Sequence, residues 1–241
     1  MYQNKRFIAI IPARGGSKGI PNKNIIDVNG KPLIQYSIDA AKASKYIDSI
    51  VVSTDSVEIA EVAAQCGADI PALRPEYLAS DKAKTIDALL HMVEVLRRVG
   101  EEFDYLVLLQ PTQPLRQGFH IDEAIETMMS RNSKSLVSIS KVNEHPVLMR
   151  TQNLDGTLKN ILNVSSTIRR QDFPDFYKVN GAIYINALDH TFNQDTSLND
   201  NEIGYAMDSK YDVDIDEPID LEIAKIKLNH LELQELVTAL I

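Results

Sequence analysis

The chain has 241 residues, 44% of them hydrophobic, with a formal net charge of −9 and one cysteine. That is long enough for one large α/β core, while the acidic balance excludes a general nucleic-acid surface, which needs a basic stripe. Cys66 has no second cysteine to pair with, so an intrachain disulfide and a cysteine metal site are excluded and a reducing compartment is implied. No apolar run approaches the about eighteen residues of a membrane span, and the start MYQNKRF has no signal-peptide core, so a soluble, cytoplasmic protein is expected.

The first element, Phe7 to Ile11, is an apolar β-type run that breaks at Pro12 into a loop containing Arg14, Gly15, Gly16, Ser17, Lys18, Gly19 and Lys23. A buried strand that stops in a cationic, glycine-rich loop offers backbone N–H groups and fixed charge to phosphate. The loop therefore reads as a triphosphate cradle, with an ordinary basic loop as the alternative. Its three glycines are expected to allow positive φ and close backbone approach, and Pro12 and Pro21 to limit its wandering. Neither G-x-x-x-x-G-K-[ST] nor G-x-G-x-x-G occurs in this loop, so neither the P-loop nor the dinucleotide motif is supported.

Further along, Ile25 to Val28 reads as a short strand, Asn29-Gly30 as a turn, and Pro32 as the start of a helix reaching about Lys45. Ile50 to Ser53 is the second core strand, and Asp55 or Ser56 can cap a helix that stops at Cys66-Gly67. A polar connector, RPEYLASDKAKT, precedes a helix from Ile86 to about Val99. YLVLL, Tyr105 to Leu109, has no alternation, as expected of a strand covered on both faces. A helix near Ile121 to Met129 and a strand from Ser135 to Ser140 continue the rhythm. This alternation predicts a mostly parallel, Rossmann-like sheet with helices on both sides, a three-layer α/β/α sandwich. Ligands are then expected at three strand ends, namely the glycine loop, Thr54-Asp55 and Gln110-Pro111-Thr112.

Between Lys141 and about Tyr177 the rhythm gives way to Asn, Asp-Gly and Pro punctuation with short β-prone pieces. This excursion is too long for an ordinary loop, and an exposed β-arm needs a cover, for which a second copy of the chain is the simplest candidate. We expect one domain, 1–241, carrying an inserted dimerisation subdomain at about 141–177. The sheet resumes at Ala182 to Ile185, Ile203 to Met207 can add an edge strand, and Ile219 to Leu240 reads as an amphipathic helix.

Asp212, Asp214 and Asp216 alternate, and on a strand end all three would share one face. Three like charges there are unfavourable unless solvated or bound to a cation. A hard oxygen site for Mg²⁺ is the functional reading, since Mg²⁺ takes one or two carboxylates and completes its octahedron with phosphate and water. A solvated acidic turn before the last helix is the alternative.

ARGGSKGIPNKN, RPEYLASDKAKT, LLQPTQPLR, RRQDFPDFYKVNGAIYI and VDID-x-x-x-D together resemble, in order, the signatures of the cytidylyltransferases that activate sialic and related nonulosonic acids as CMP-sugars. The resemblance runs from Ile8 to about Ala224 and implies a nucleotide-diphosphosugar transferase sheet, and CTP and a nonulosonic acid as substrates. It implies nucleotide contacts from Ala13, Arg14, Ser17, Lys23, Asn24, Arg74, Ala83 and Thr85. Sugar contacts would come from Gln110, Arg170, Asn180 and Tyr184, with Arg170 serving the neighbouring subunit of a homodimer. Catalysis would rest on Lys23, Asp214 and Asp216, the last two holding Mg²⁺, with Asp216 or a metal-bound hydroxide as base, while Asp212 lies outside that pair. Two departures stand out: Gln113 where the family commonly has Ser, and Val147-Leu148-Met149 after His145-Pro146 where some sialate-activating relatives place a lysine. The second favours a more apolar sugar such as a dideoxy nonulosonate. The alternative class is a nucleotide-sugar glycosyltransferase on a related sheet, whose carboxylates would be expected on a mid-chain strand.

Overall fold

A computed structural model describes residues 1–17, 19–162, 164, 167, 169 and 172–239, with 235, 238 and 239 as backbone only. In chain order the elements are β1 (Phe7–Pro12), the small hairpin β2 (Asp27–Val28) and β3 (Lys31–Pro32), α1 (Leu33–Ala43), β4 (Ile47–Ser53) and α2 (Val57–Gln65). Then come α3 (Thr85–Arg98), β5 (Tyr105–Leu108), α4 (Gly118–Ser130), β6 (Ser135–Lys141), the pair β7 (Arg150–Gln152) and β8 (Leu158–Asn160), β9 (Tyr177–Ala187), β10 (Ile203–Met207) and α5 (Pro218–Ala239). The central sheet has the order β10-β6-β9-β5-β1-β4.

Strand β1 lies between β4 and β5, parallel to both, and β10 is parallel to β6. Phe7, Ala9 and Ile11 point to the face covered by α1, α2 and α4, while Ile8 and Ile10 point to the face covered by α3. That two-sided burial is why the run is apolar throughout. A third cluster joins Ile20 of the glycine loop to Leu115, Val213, Ile215 and the inner face of α5. The expected three-layer sandwich is present, and Ser56 caps α2 by accepting from the Ile59 N–H at 3.3 Å.

Two features depart from the expectations. Strand β9 is much longer than Ala182 to Ile185 and runs antiparallel to both neighbours, so the sheet is mixed at its middle. Its pairing with β6 jumps from Val137↔Tyr184 to Ile139↔Val179, leaving Asn180 to Ile183 opposite Ser138 in a special, four-residue bulge. Buried polar groups stabilise the bulge. Ser138 Oγ donates to Asn180 Oδ1 at 2.5 Å and accepts from Ile183 N at 2.8 Å, and Asn180 Nδ2 donates to Ser140 Oγ at 2.8 Å.

The second departure concerns Asp212 to Asp216, which form no strand. Val213 and Ile215 are buried under α5, and the Ile215 N–H donates to the Thr112 carbonyl at 3.0 Å, anchoring the segment to a turn. The three carboxylates consequently separate. Asp212 pairs with Lys178 of β9 at 3.0 Å, whereas Asp214 and Asp216 face the strand ends. In the excursion, β7 and β8 form an antiparallel hairpin whose turn contains Asp155 and Gly156, the latter at φ +84°. No residue of either strand is buried.

Candidate active site

Strands β1, β4 and β5 stop at one edge of the sheet, where parallel α/β folds place ligands. A cleft of about 540 Å³ opens there. One wall is the loop after β1, with Arg14, Ser17, Lys23 and Asn24; opposite stand Arg74, Ala83 and Thr85. Gln110 to Thr112 form part of the floor, and Asp214 and Asp216 close the fourth side.

The glycine loop is held from behind rather than left free. Gly15 N–H donates to Asp55 Oδ1 at 2.9 Å, so the Thr54-Asp55 strand end serves the site by shaping this loop. Asn24, buried, donates through Nδ2 to the Arg14 carbonyl at 2.9 Å. Neither Gly15 nor Gly16 adopts positive φ, contrary to expectation; among the described residues of this loop the left-handed one is Asn22, at φ 51°. Close approach is what Gly19 supplies, because a Cβ there would collide with the Asp216 carbonyl.

That contact brings the two ends of the chain together at Lys23. Its ammonium donates to the Ile215 carbonyl at 2.7 Å and pairs with Asp216 Oδ1 at 3.1 Å. Across the mouth, Arg14 pairs with Asp81 at 2.9 Å. Arg74 is almost wholly buried, donating to the Ser53 carbonyl at 2.5 Å and Ser53 Oγ at 3.1 Å. Burial, the main effect, lowers the pKa of its guanidinium below the usual value, and the charge is retained all the same.

Asp214 opens into the cleft but sits recessed beside Thr112. Burial first, and then the negative charge of Asp216, push its carboxyl above the ordinary range, while a hydrogen bond with Thr112 pulls the other way. Two hard carboxylates in one cleft suit a small dication. Among the described residues no group of three His, Cys, Asp or Glu side chains could hold a metal, so a dication here would complete its shell with phosphate and water.

The structure thus gathers Arg14, Ser17, Lys23, Asn24, Arg74, Ala83, Thr85, Gln110, Asp214 and Asp216 at one cleft. Ala13 lies just beneath it, fully buried, its N–H donating to the Ser53 carbonyl at 2.9 Å. Asn180 and Tyr184 do not reach the cleft wall. Asn180 is bound within the bulge network, and Tyr184, buried, donates to Asn199 Oδ1 at 3.2 Å. Arg170, like Lys18, lies outside the described residues. Thr112, expected at a ligand-bearing strand end, lies beside Asp214; sequence reading missed Ser53 and Asp81, which hold Arg74 and Arg14 and had only their neighbourhood of candidate residues as a signal.

Residues 8–236 match the family model described as cytidylyltransferase. The chain is 36% identical over 211 residues to an N-acylneuraminate cytidylyltransferase of Streptococcus agalactiae, covering 87% of this chain and spanning half the length of that relative. It is 37% identical over 234 residues to a CMP-N,N'-diacetyllegionaminic acid synthase of Legionella pneumophila, covering 96% of this chain and 100% of that one. In fold it is similar to a CMP:2-keto-3-deoxy-manno-octonic acid synthetase solved with CTP, at TM-score 0.68 and 18% identity, covering 93% of this chain and 99% of that one.

Proposed function

The chain belongs to the cytidylyltransferase family, and from that premise we propose that it joins CTP to a nonulosonic acid, releasing the CMP-sugar and pyrophosphate. The names of its relatives support a sialate-, legionaminate- or pseudaminate-type acceptor. The observation that carries the reading is Lys23, whose ammonium spans the glycine loop and the Asp216 carboxylate at the edge of the sheet.

In this reaction the anomeric hydroxyl of the sugar attacks the α-phosphorus of CTP. A new O–P bond forms, the bond from that phosphorus to the bridging oxygen breaks, and pyrophosphate departs with the oxygen. Arg14 and Lys23 hold the triphosphate as fixed cations, in place before charge develops. Arg74 and the backbone near Ala83 address the base, with Thr85 near the ribose, and Gln110 orients the acceptor. Asp216, the more open carboxylate, accepts the hydroxyl proton. Mg²⁺ would be held by Asp214 and Asp216 and supplies positive charge against the phosphates when bound. We further propose a cytoplasmic homodimer in which the β7–β8 hairpin, with Leu154 and Leu158 exposed, reaches the second copy. Among the described residues no helix is long and apolar enough to cross a membrane.

The test is pyrophosphate release with CTP and Mg²⁺, run with N-acetylneuraminate, legionaminate, pseudaminate, 3-deoxy-manno-octulosonate and no sugar. Release with one nonulosonate identifies reaction and acceptor together. Silence across the panel with CTP binding intact would overturn the acceptor class, and turnover of a nucleotide sugar instead would favour a glycosyltransferase.

A further inference from the structure

Arg116 is the largest fully buried side chain among the described residues. Burial alone pulls its pKa down, to about 9, and no ion pair joins it to a carboxylate among the described residues. A buried charge without a counter-ion is expensive. Only Nη1 has partners: it donates to the Ala182 carbonyl at 2.9 Å and the Gln110 carbonyl at 3.3 Å, while Nε and Nη2 are unpartnered among the described residues. One nitrogen therefore joins two backbone segments that the sheet does not join there.

Both segments bear on Gln110. The first is the turn after β5 that carries it into the cleft. The second is the β9 bulge, where Gly181 sits at φ +78° and a Cβ would come within 2.6 Å of Gln110 Oε1. The Gln110 side chain thus lies against bare backbone, and Arg116 holds the two surfaces together. The Gln110 carbonyl also accepts from the Gln113 N–H and from Ser37 Oγ, each at 3.3 Å, but of these three donors the one that also reaches the Ala182 carbonyl is Arg116; the Gln113 side chain is buried with both amide atoms unpartnered among the described residues.

We propose that Arg116 is a positioning residue that fixes the Gln110 turn against the Gly181–Ala182 bulge and so sets the acceptor subsite without touching the nucleotide. The kinetic part of this inference rests on the cytidylyltransferase reading; the clamp itself does not. Arg116→Lys keeps a donor that can reach one carbonyl, and Arg116→Met keeps bulk without a donor. In hydrogen exchange, Arg116→Met is expected to raise exchange in segments 110–116 and 179–186 and leave 74–85 unchanged. Unchanged exchange in both segments, in a folded variant, would overturn the clamp.

In steady-state kinetics Arg116→Met should raise the acceptor KM at least about tenfold, with CTP KM within about twofold and Arg116→Lys between the two. Gly181→Ala, which displaces Gln110 directly, should give the same split and serves if Arg116→Met fails to fold. In a Gln110→Ala background Arg116→Lys should have almost no further effect, because a residue that acts through another has nothing left to act on. Additive losses, or parallel rises in both KM values, would reduce Arg116 to a structural role. An inactive wild type would sink the functional reading and leave the exchange result to decide the clamp.

Discussion

Lys23 stands between a backbone carbonyl and a carboxylate, at 2.7 and 3.1 Å, and is mostly shielded from solvent. A charge fixed in that way needs no reorganisation when a phosphate arrives. Lys23→Met is expected to lower kcat/KM at least about a hundredfold, the scale of losing a preorganised electrostatic group, with an unchanged circular dichroism spectrum. His120 makes a separate statement about pH. Its Nδ1 accepts from the Gln117 N–H at 3.0 Å, so the ring must stay unprotonated there, and burial pushes its pKa down to about 4. Unfolded, the ring titrates near the usual value of about 6.5. The unfolded chain therefore binds more protons between those values, and stability falls as pH drops from about 6.5 towards 4, by at most about 3 kcal/mol. Denaturant melts at pH 7.5 and 4.5 check this: His120→Gln, which can still accept the bond, should lose less on acidification than the wild type. The residues that carry charge were legible because Arg, Lys and Asp in a loop have few other uses. Asn180 was not, since a buried amide serving a strand bulge and an amide serving a ligand look the same in sequence.

At the scale of elements, the helices and parallel strands were legible because period and capping are local, as with Ser56 ahead of α2. Direction was harder. Ala182 to Ile185 reads as one more buried strand, and nothing in that apolar run says that it belongs to a strand reaching from Tyr177 to Ala187 or that it enters antiparallel. The last helix carried a different ambiguity: Leu221, Ala224, Leu228 and Leu231 dock on the core, whereas Ile226, Leu233 and Leu236, equally apolar, are exposed. The β7–β8 hairpin contributes no buried residue, so it adds little to the stability of one chain. Excising residues 150–160 for a short Gly-Ser link should move Tm by no more than about 2 °C, since surface changes stay within about 0.5 kcal/mol. Light scattering on the same protein should show loss of the proposed dimer; a dimer that persists would place the interface elsewhere.

For the molecule as a whole, the net charge of −9 repels a nucleotide triphosphate, and binding must come from the local cluster of Arg14, Lys23 and Arg74. A ligand held by the native state alone stabilises it by about 2.7 kcal/mol at a hundred times its Kd. CTP with Mg²⁺ should therefore raise Tm by several degrees, and slow hydrogen exchange in segments 14–24 and 74–85 more than in 150–160. Uniform protection, or none, would count against the cleft as the nucleotide site. The class of fold could be read from the order of strands and helices, but the site could not be assembled on paper, because its four sides come from parts of the chain that meet only in three dimensions.

The Lys23–Asp216 pair closes a separation of 193 residues, and this has a bearing on synthesis. All six strands of the central sheet are complete by Met207, before the ribosome has released Asp214 and Asp216. Domains generally fold as units, and a nascent chain that has reached Met207 lacks both carboxylates and the α5 face that packs with Ile20, Leu33 and Leu115. At that point of synthesis the strands of the sheet exist without the carboxylates, and the cleft is completed only as the segment after Met207 follows.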